Sequence, residues 1–393
     1  MTKMIKMSLV AAVAVAGLTT TASAKPIKEA LDNVDYSGNL RYRYTNGEAN
    51  AFDQSEYKLQ MTLKSKLNDM VTATVSTDVI AATSDASGDA DPVAANITEA
   101  NFAFSVKGNT IIAGKQALAT PFADGGAASD SQQGTGVVAL VPVGGVTIAG
   151  GLFLNSDANV AKKSWVTGQT NAAAVSLGDH NIAAIAAIGK ASIVDYAVWY
   201  AKVSEHGGNV KDSTGAAIGL DKAGATATNI NAKAPIGSVN VEVNIANVNY
   251  TGTAGDTLKD QAQSRIVVSG DVAGVSLAAG YVKAGKDGGD VTLGDTDATA
   301  NFVMEAFSGT ALKDTSAYYL AASMPVGPVT AKLEYGKTSA LDGSAATKVA
   351  ASETKFSVAY ELVKNFNISA WTTSCSDGLK GSGANRVELS YTF

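Results

Sequence analysis

The chain has 393 residues, of which 46% are hydrophobic and 17% charged, a balance that excludes an intrinsically disordered polymer. A formal net charge of −6 argues against a nucleic-acid-binding surface. The single cysteine, Cys375, rules out an intrachain disulfide, and with only His180 and His206 beside it there is no Cys/His zinc site of ordinary spacing.

In chain order, the first element is a targeting segment. Lys3 and Lys6 form a basic start, Met7 to Leu18 an apolar stretch, and Ala22-Ser23-Ala24 a small-residue cleavage pattern. An apolar run of about 12 residues is too short to span a bilayer as a helix. Residues 1–24 are therefore expected to be a cleaved signal peptide, leaving a mature chain of 25–393 with a charge of about −8. Beyond it no apolar run approaches the roughly 20 residues of a membrane helix. No linker, low-complexity tract or shift of composition marks a boundary, so one continuous domain of repeated hairpins is expected.

Period-two alternation then recurs to the end of the chain. Tyr36, Leu40, Tyr42 and Tyr44 share one face of the first strand, and Ser37, Asn39, Arg41 and Arg43 the other. The second sets Tyr57, Leu59, Met61, Leu63 and Leu67 against Lys58, Gln60, Thr62, Lys64 and Lys66. Val239, Val241, Val243 and Ile245 oppose Asn240, Glu242 and Asn244. Further apolar rows are Phe356, Val358, Tyr360 and Leu362, then Phe366, Ile368 and Ala370. The last is Val387, Leu389, Tyr391 and the terminal Phe393.

Eight tight turns are read at Leu67-Asn68-Asp69, Lys107-Gly108-Asn109, Pro142 to Gly145, Gly189 to Ile193, Pro235-Ile236-Gly237, Asp271 to Gly274, Pro325 to Pro328 and Val363-Lys364-Asn365. Longer polar stretches separate them, among them Thr45 to Glu56, Ala81 to Asn96, Gln116 to Gly134 and Asn155 to Asn181. Strands of about ten residues with one apolar face, short turns on one rim and long loops on the other describe an all-β, transmembrane antiparallel β-barrel of the outer-membrane type. Eight short turns with both termini on one rim imply about 18 strands. Ala172 to Leu177 and Ala300 to Phe307, readable as strand or loop, widen the range to 16–20.

At this point the residues resemble the major outer membrane porins of Campylobacter and related bacteria. The likeness is carried by Leu40-Arg41-Tyr42-Arg43-Tyr44 after the lead at Asp35 to Gly38, by Ala113-Gly114-Lys115-Gln116 ending the fifth strand, and by Gly134-Thr135-Gly136-Val137 opening the sixth. Shorter loops and a higher alanine content mark this chain as a divergent member. The resemblance implies an 18-stranded, homotrimeric, abundant general channel of a Gram-negative outer membrane. It also implies that outer-membrane lipid surrounds the barrel and that the assembly machinery reads Phe393. Some family members hold a calcium ion in the pore; the residues read here assign no metal and no cofactor.

The chemistry of a channel lies in its lumen. Arg41, Arg43, Lys58, Lys64 and Lys66 fall on polar faces of adjacent strands and together suggest a basic wall, with Lys58 and Lys66 toward the rims and Arg41 and Arg43 in the narrow zone. The same residues could instead pair with neighbouring carboxylates. By the family pattern the loop 116–134 folds into the barrel, where Asp124 and Asp130 would oppose that wall and set up a transverse field. Read alone, the loop is equally an ordinary surface loop. No nucleophile motif accompanies His180 or His206, and Asp85, Asp89 and Asp91 lack the full calcium-loop pattern, so no catalytic residue is assigned. The expected function is passive diffusion of ions and small hydrophilic solutes. A channel selective for carboxylates, sugars or peptides, and a surface adhesin or structural barrel, are the alternatives.

Overall fold

The computed structural model describes residues 34–47, 53–84, 94–123, 133–156, 181–206, 223–252, 259–289, 291, 314–341 and 349–393. The expected signal peptide, Asp85, Asp89, Asp91, Ala172 to Leu177, His180 and Ala300 to Phe307 lie outside them. The strands are β1 (Val34–Gly47), β2 (Gln54–Lys66), β3 (Val71–Ser84), β4 (Ala94–Val106), β5 (Asn109–Ala117), β6 (Gln133–Val143), β7 (Val146–Ser156), β8 (Ile182–Ala191) and β9 (Val194–His206). They continue as β10 (Ala223–Ile236), β11 (Val239–Gly252), β12 (Gln261–Val272), β13 (Val275–Ala284), β14 (Ser316–Val326), β15 (Val329–Leu341), β16 (Val349–Val363), β17 (Phe366–Asp377) and β18 (Ala384–Thr392). Each pairs antiparallel with its chain neighbours, and β18 pairs with β1, so the 18-stranded sheet closes into a barrel.

All eight expected tight turns join strands on one rim. Seven have two residues, as between Val106 and Asn109, Val143 and Val146, or Val272 and Val275. A right-twisted hairpin needs left-handed backbone there. It is found at both turn residues in Lys107-Gly108 and Ala273-Gly274, and at the first in Gly144, Ser192, Gly237 and Gly327. The eighth turn is longer, and Asn68 Oδ1 accepts from the Met70 and Val71 amides at 2.8 and 2.9 Å.

The alternation decides what faces where. Tyr36, Leu40, Tyr42 and Tyr44 stand on the outer surface with Tyr57, Leu320, Leu333, Phe356 and Val387 from other strands. Such a continuous apolar outer band is stable only against hydrocarbon. The opposite residues point inward, where charges, amides and hydroxyls line the bore. No described helix is long and apolar enough to cross a membrane; the chain crosses with strands.

Closure is completed by the last residue. The Gly38 amide donates to the Phe393 carbonyl at 2.9 Å, and the Phe393 amide donates to the Gly38 carbonyl at 3.0 Å. The Phe393 ring lies over Gly38 beside Tyr36 and Tyr391. A Cβ at position 38 would stand 2.4 Å from the Gln60 carbonyl oxygen and 2.6 Å from the ring. Gly38→Ala is therefore expected to deplete the compact, heat-modifiable band on unheated denaturing gels. Gly144→Ala, where a Cβ meets open space, should carry only the roughly 1 kcal/mol of left-handed strain and keep that band.

Candidate functional site: the channel lumen

The expected basic wall is present in position but not as bare charge. β1 and β2 pair Arg41 with Lys58 and Arg43 with Glu56, all on the inner face. Arg41 Nη2 donates to Glu56 Oε1 at 2.6 Å, and Arg43 Nη2 to Glu56 Oε2 at 2.7 Å. One carboxylate thus bridges both guanidiniums. Lys58 differs from its expected place at a rim. Its side chain is buried at the level of Arg41, with Nζ 3.7 Å from Asp78 Oδ2. The reason is strand length: β2 starts four residues before Lys58, about 13 Å of extended chain. Lys66 is at a rim, paired with Asp69 at 2.9 Å in the first turn.

Lys64 lines a cavity of about 540 Å³ with Glu99 and Asn101. There Thr62 donates to Ser76 Oγ at 2.9 Å and Ser76 to Glu99 Oε2 at 2.8 Å, which keeps the carboxylate hydrogen-bonded in the wall. Beyond β1 the basic side continues onto β16 to β18, where Lys355 Nζ and Arg386 Cζ lie 4.7 and 4.8 Å from the Trp371 ring centre. Arg386 Nε also donates to Thr45 Oγ1 at 2.9 Å. Across the bore, Arg265 pairs with Glu242 at 3.3 Å and Lys332 with Glu334 at 2.7 Å. At the long-loop rim, hydrogen bonds from Tyr44 and Asn46 hold the Asp53 carboxyl below its usual range. Lys66 does the same for Asp69 at the other rim.

The segment after β5 turns inward. Leu118, Phe122 and Ala123 are buried against Phe153, Ile182, Val203, Ala227 and Val248, inner-face residues of β7 to β11. Phe122 is fully buried. Its seat is formed where the inner rows are reduced to alanine: Ala201, Ala225, Ala227 and Ala246 leave the volume that the aromatic ring fills. Ala119 and Thr120 border two spaces at once, the cavity beside Lys64 and another of about 500 Å³ against β9 to β12. The segment is therefore a partition between these two spaces, seated against the β7 to β11 side of the bore. Asp124 and Asp130 lie outside the described residues, as does 124–132 of the expected inward loop.

Glu56, Asp78 and Trp199 carry the geometry yet were not singled out from the sequence. Glu56 sits where loop and strand meet, and Asp78 and Trp199 gain meaning only through register. Among the described residues no three His, Cys, Asp or Glu side chains converge to hold a metal ion.

With this architecture in view, the family model of the Campylobacter major outer membrane protein matches residues 2–385. The chain belongs to this family. No curated protein matches. Among solved structures, Acinetobacter baumannii OccAB3 superposes with a TM-score of 0.70 at 11% identity, covering 92% of this chain and 99% of its own. Pseudomonas aeruginosa OccK5 (OpdH) gives 0.68 at 13%, covering 92% and 98%. P. aeruginosa OpdK, in a crystal structure with vanillate, gives 0.69 at 13%, covering 92% and 99%. At these identities the likeness is one of fold. The protein is an integral outer-membrane porin, a channel and not an enzyme.

The seat of Phe122 yields a direct test. Phe122→Ala removes about 3–5 kcal/mol of packing from the partition. It should give a larger and noisier single-channel conductance with the heat-modifiable barrel retained. An unchanged conductance would mean that residues 118–123 do not set the opening.

Proposed function

We propose that the protein is a general diffusion porin, passing ions and small hydrophilic solutes down their gradients with weak ionic preference. The observation that carries this reading is the mutual pairing of charges around the bore: Arg41 and Arg43 on Glu56, Lys58 on Asp78, Arg265 on Glu242 and Lys332 on Glu334. A wall that pairs its charges in place, with one cation in excess where Arg41 and Arg43 share Glu56, is polar and wettable but presents only a small net field to a passing ion. The partition at Leu118–Ala123 narrows the path, so size discriminates more than charge. Within this reading Arg41, Arg43, Lys58 and Lys64 line the conduction path, and Asp124 and Asp130 extend the inturned loop 116–134. Signal-directed export, recognition of Phe393 by the assembly machinery and assembly as a homotrimer complete it, on the strength of the leader pattern, the terminal strand and the family resemblance.

Planar-bilayer recording of the purified protein should show ohmic conductance that rises with salt without saturating. Silence at every voltage would overturn the channel reading, and conductance saturating at low salt would overturn the general one. Selectivity tests the paired wall separately. Glu56→Gln releases two guanidiniums from their shared carboxylate and should move the reversal potential in a salt gradient toward anion preference; Arg41→Glu should move it toward cations. Unchanged potentials in both variants would place this cluster off the conduction path.

A further inference from the structure

Below the inturned segment, β9 to β12 form an inner ladder that is neither apolar nor charged on balance. Trp199 stands between Ala186 on β8 and Asn229 on β10. One level further, Asn231 stands beside Asn244, and Arg265 beside Asn244 on its other side. Apart from Ala186, these residues line, together with Ala119–Pro121 and Ala123, the cavity of about 500 Å³, within the roughly 300–1,000 Å³ of small-molecule clefts.

The wall hydrogen bonds fix what the cavity can offer. Asn229 Nδ2 donates to Asn244 Oδ1 at 3.0 Å, and Asn231 Nδ2 donates to Glu242 Oε1 at 3.0 Å. Arg265 Nη2 donates to the same Glu242 oxygen at 3.3 Å. Each amide is thereby held in one orientation by one polar atom. Among the described residues, no hydrogen bond engages Asn231 Oδ1 or Asn244 Nδ2, an acceptor and a donor on neighbouring strands. Asn229 is itself buried in the wall, and its Oδ1 likewise has no partner among the described residues. Among the described residues that line it, the charges are those of Glu242 and Arg265, which compensate each other, so a net ionic solute finds no counter-charge among them. A flat indole with small neighbours lies beside this array.

We infer that this cavity is a saccharide subsite of the channel. A neutral pyranose supplies what the wall lacks: hydroxyls that both donate and accept at neighbouring positions, and a C–H face able to lie on an indole. An anion or cation would have to displace the Glu242–Arg265 pair, and an apolar solute would leave the amides unsatisfied. The inference rests on the channel reading and deepens it by naming a solute class.

The test uses the full-length protein in planar bilayers with maltose as the probe and a polyethylene glycol of similar size as the control for volume and viscosity. Maltose should reduce the current in a saturable manner and the glycol only linearly. Trp199→Ala and Asn231→Ala should each raise the half-blocking maltose concentration at least about tenfold, as expected for loss of a 1.4 kcal/mol contact. Asn231→Ala leaves the seat of Phe122 untouched, so its effect is independent of the partition. Trp371→Ala, elsewhere in the lumen, should leave the block unchanged. A maltose response as linear as that of the glycol, or a block indifferent to both site variants, would overturn the subsite while the channel stands. Saturable block by the zwitterion glycylglycine without block by maltose would overturn the saccharide class. A silent protein would overturn the channel reading and the subsite with it.

Discussion

The rest of the structure depends on one constraint: in hydrocarbon every backbone N–H and C=O needs a partner within the protein. A sheet meets it only by closing, because an open edge would leave a row of unpaired groups facing lipid. β18 therefore has to find β1, and the reciprocal hydrogen bonds between Gly38 and Phe393 are the last to complete the seam. Closure in turn demands an even strand number when both ends lie on one rim. It also demands an outer face apolar at every second residue. The polar lumen is the other half of the same alternation, not a separate invention.

Eighteen strands enclose a bore wider than side chains alone can fill. The chain uses this space unevenly. Along β7 to β11 the inner face is small and apolar, and a segment from another part of the chain settles there through Phe122. Along β16 to β2 the inner face is crowded with cations, carboxylates and an indole. Partly buried charges in a protein wall are tolerable when paired and hydrogen-bonded, and those on the described inner wall largely are. The result is a channel narrowed by packing on one side and wetted by self-compensated charge on the other.

Most of the scaffold was legible because it follows from local rules. Alternation in β1 assigned Tyr42 and Arg43 to opposite sides, and glycine-bearing turns such as Lys107-Gly108 marked chain reversals, without knowledge of any partner strand. The wall chemistry was less legible, since it arises between strands. Arg41 and Arg43 looked like a basic stripe because Glu56, their shared partner, sits 13 to 15 residues away at a boundary readable as loop. Lys58 looked terminal until the true start of β2 set it beside Arg41 in register. Trp199, Asn229, Asn244 and Arg265 come from four strands, and no spacing in the chain announces that they share one cavity.

By itself, then, the sequence determined the strand periodicity, the turns, the sidedness of strands such as β1, β2 and β11, and the type of membrane the chain suits. Period two and turn propensity are properties of a few consecutive residues. Only the tertiary structure decided which carboxylate neutralises which cation, where Phe122 rests, and which amides gather beneath it. Those outcomes depend on register and on the curvature of the closed sheet, which bring distant residues to the same height on the wall.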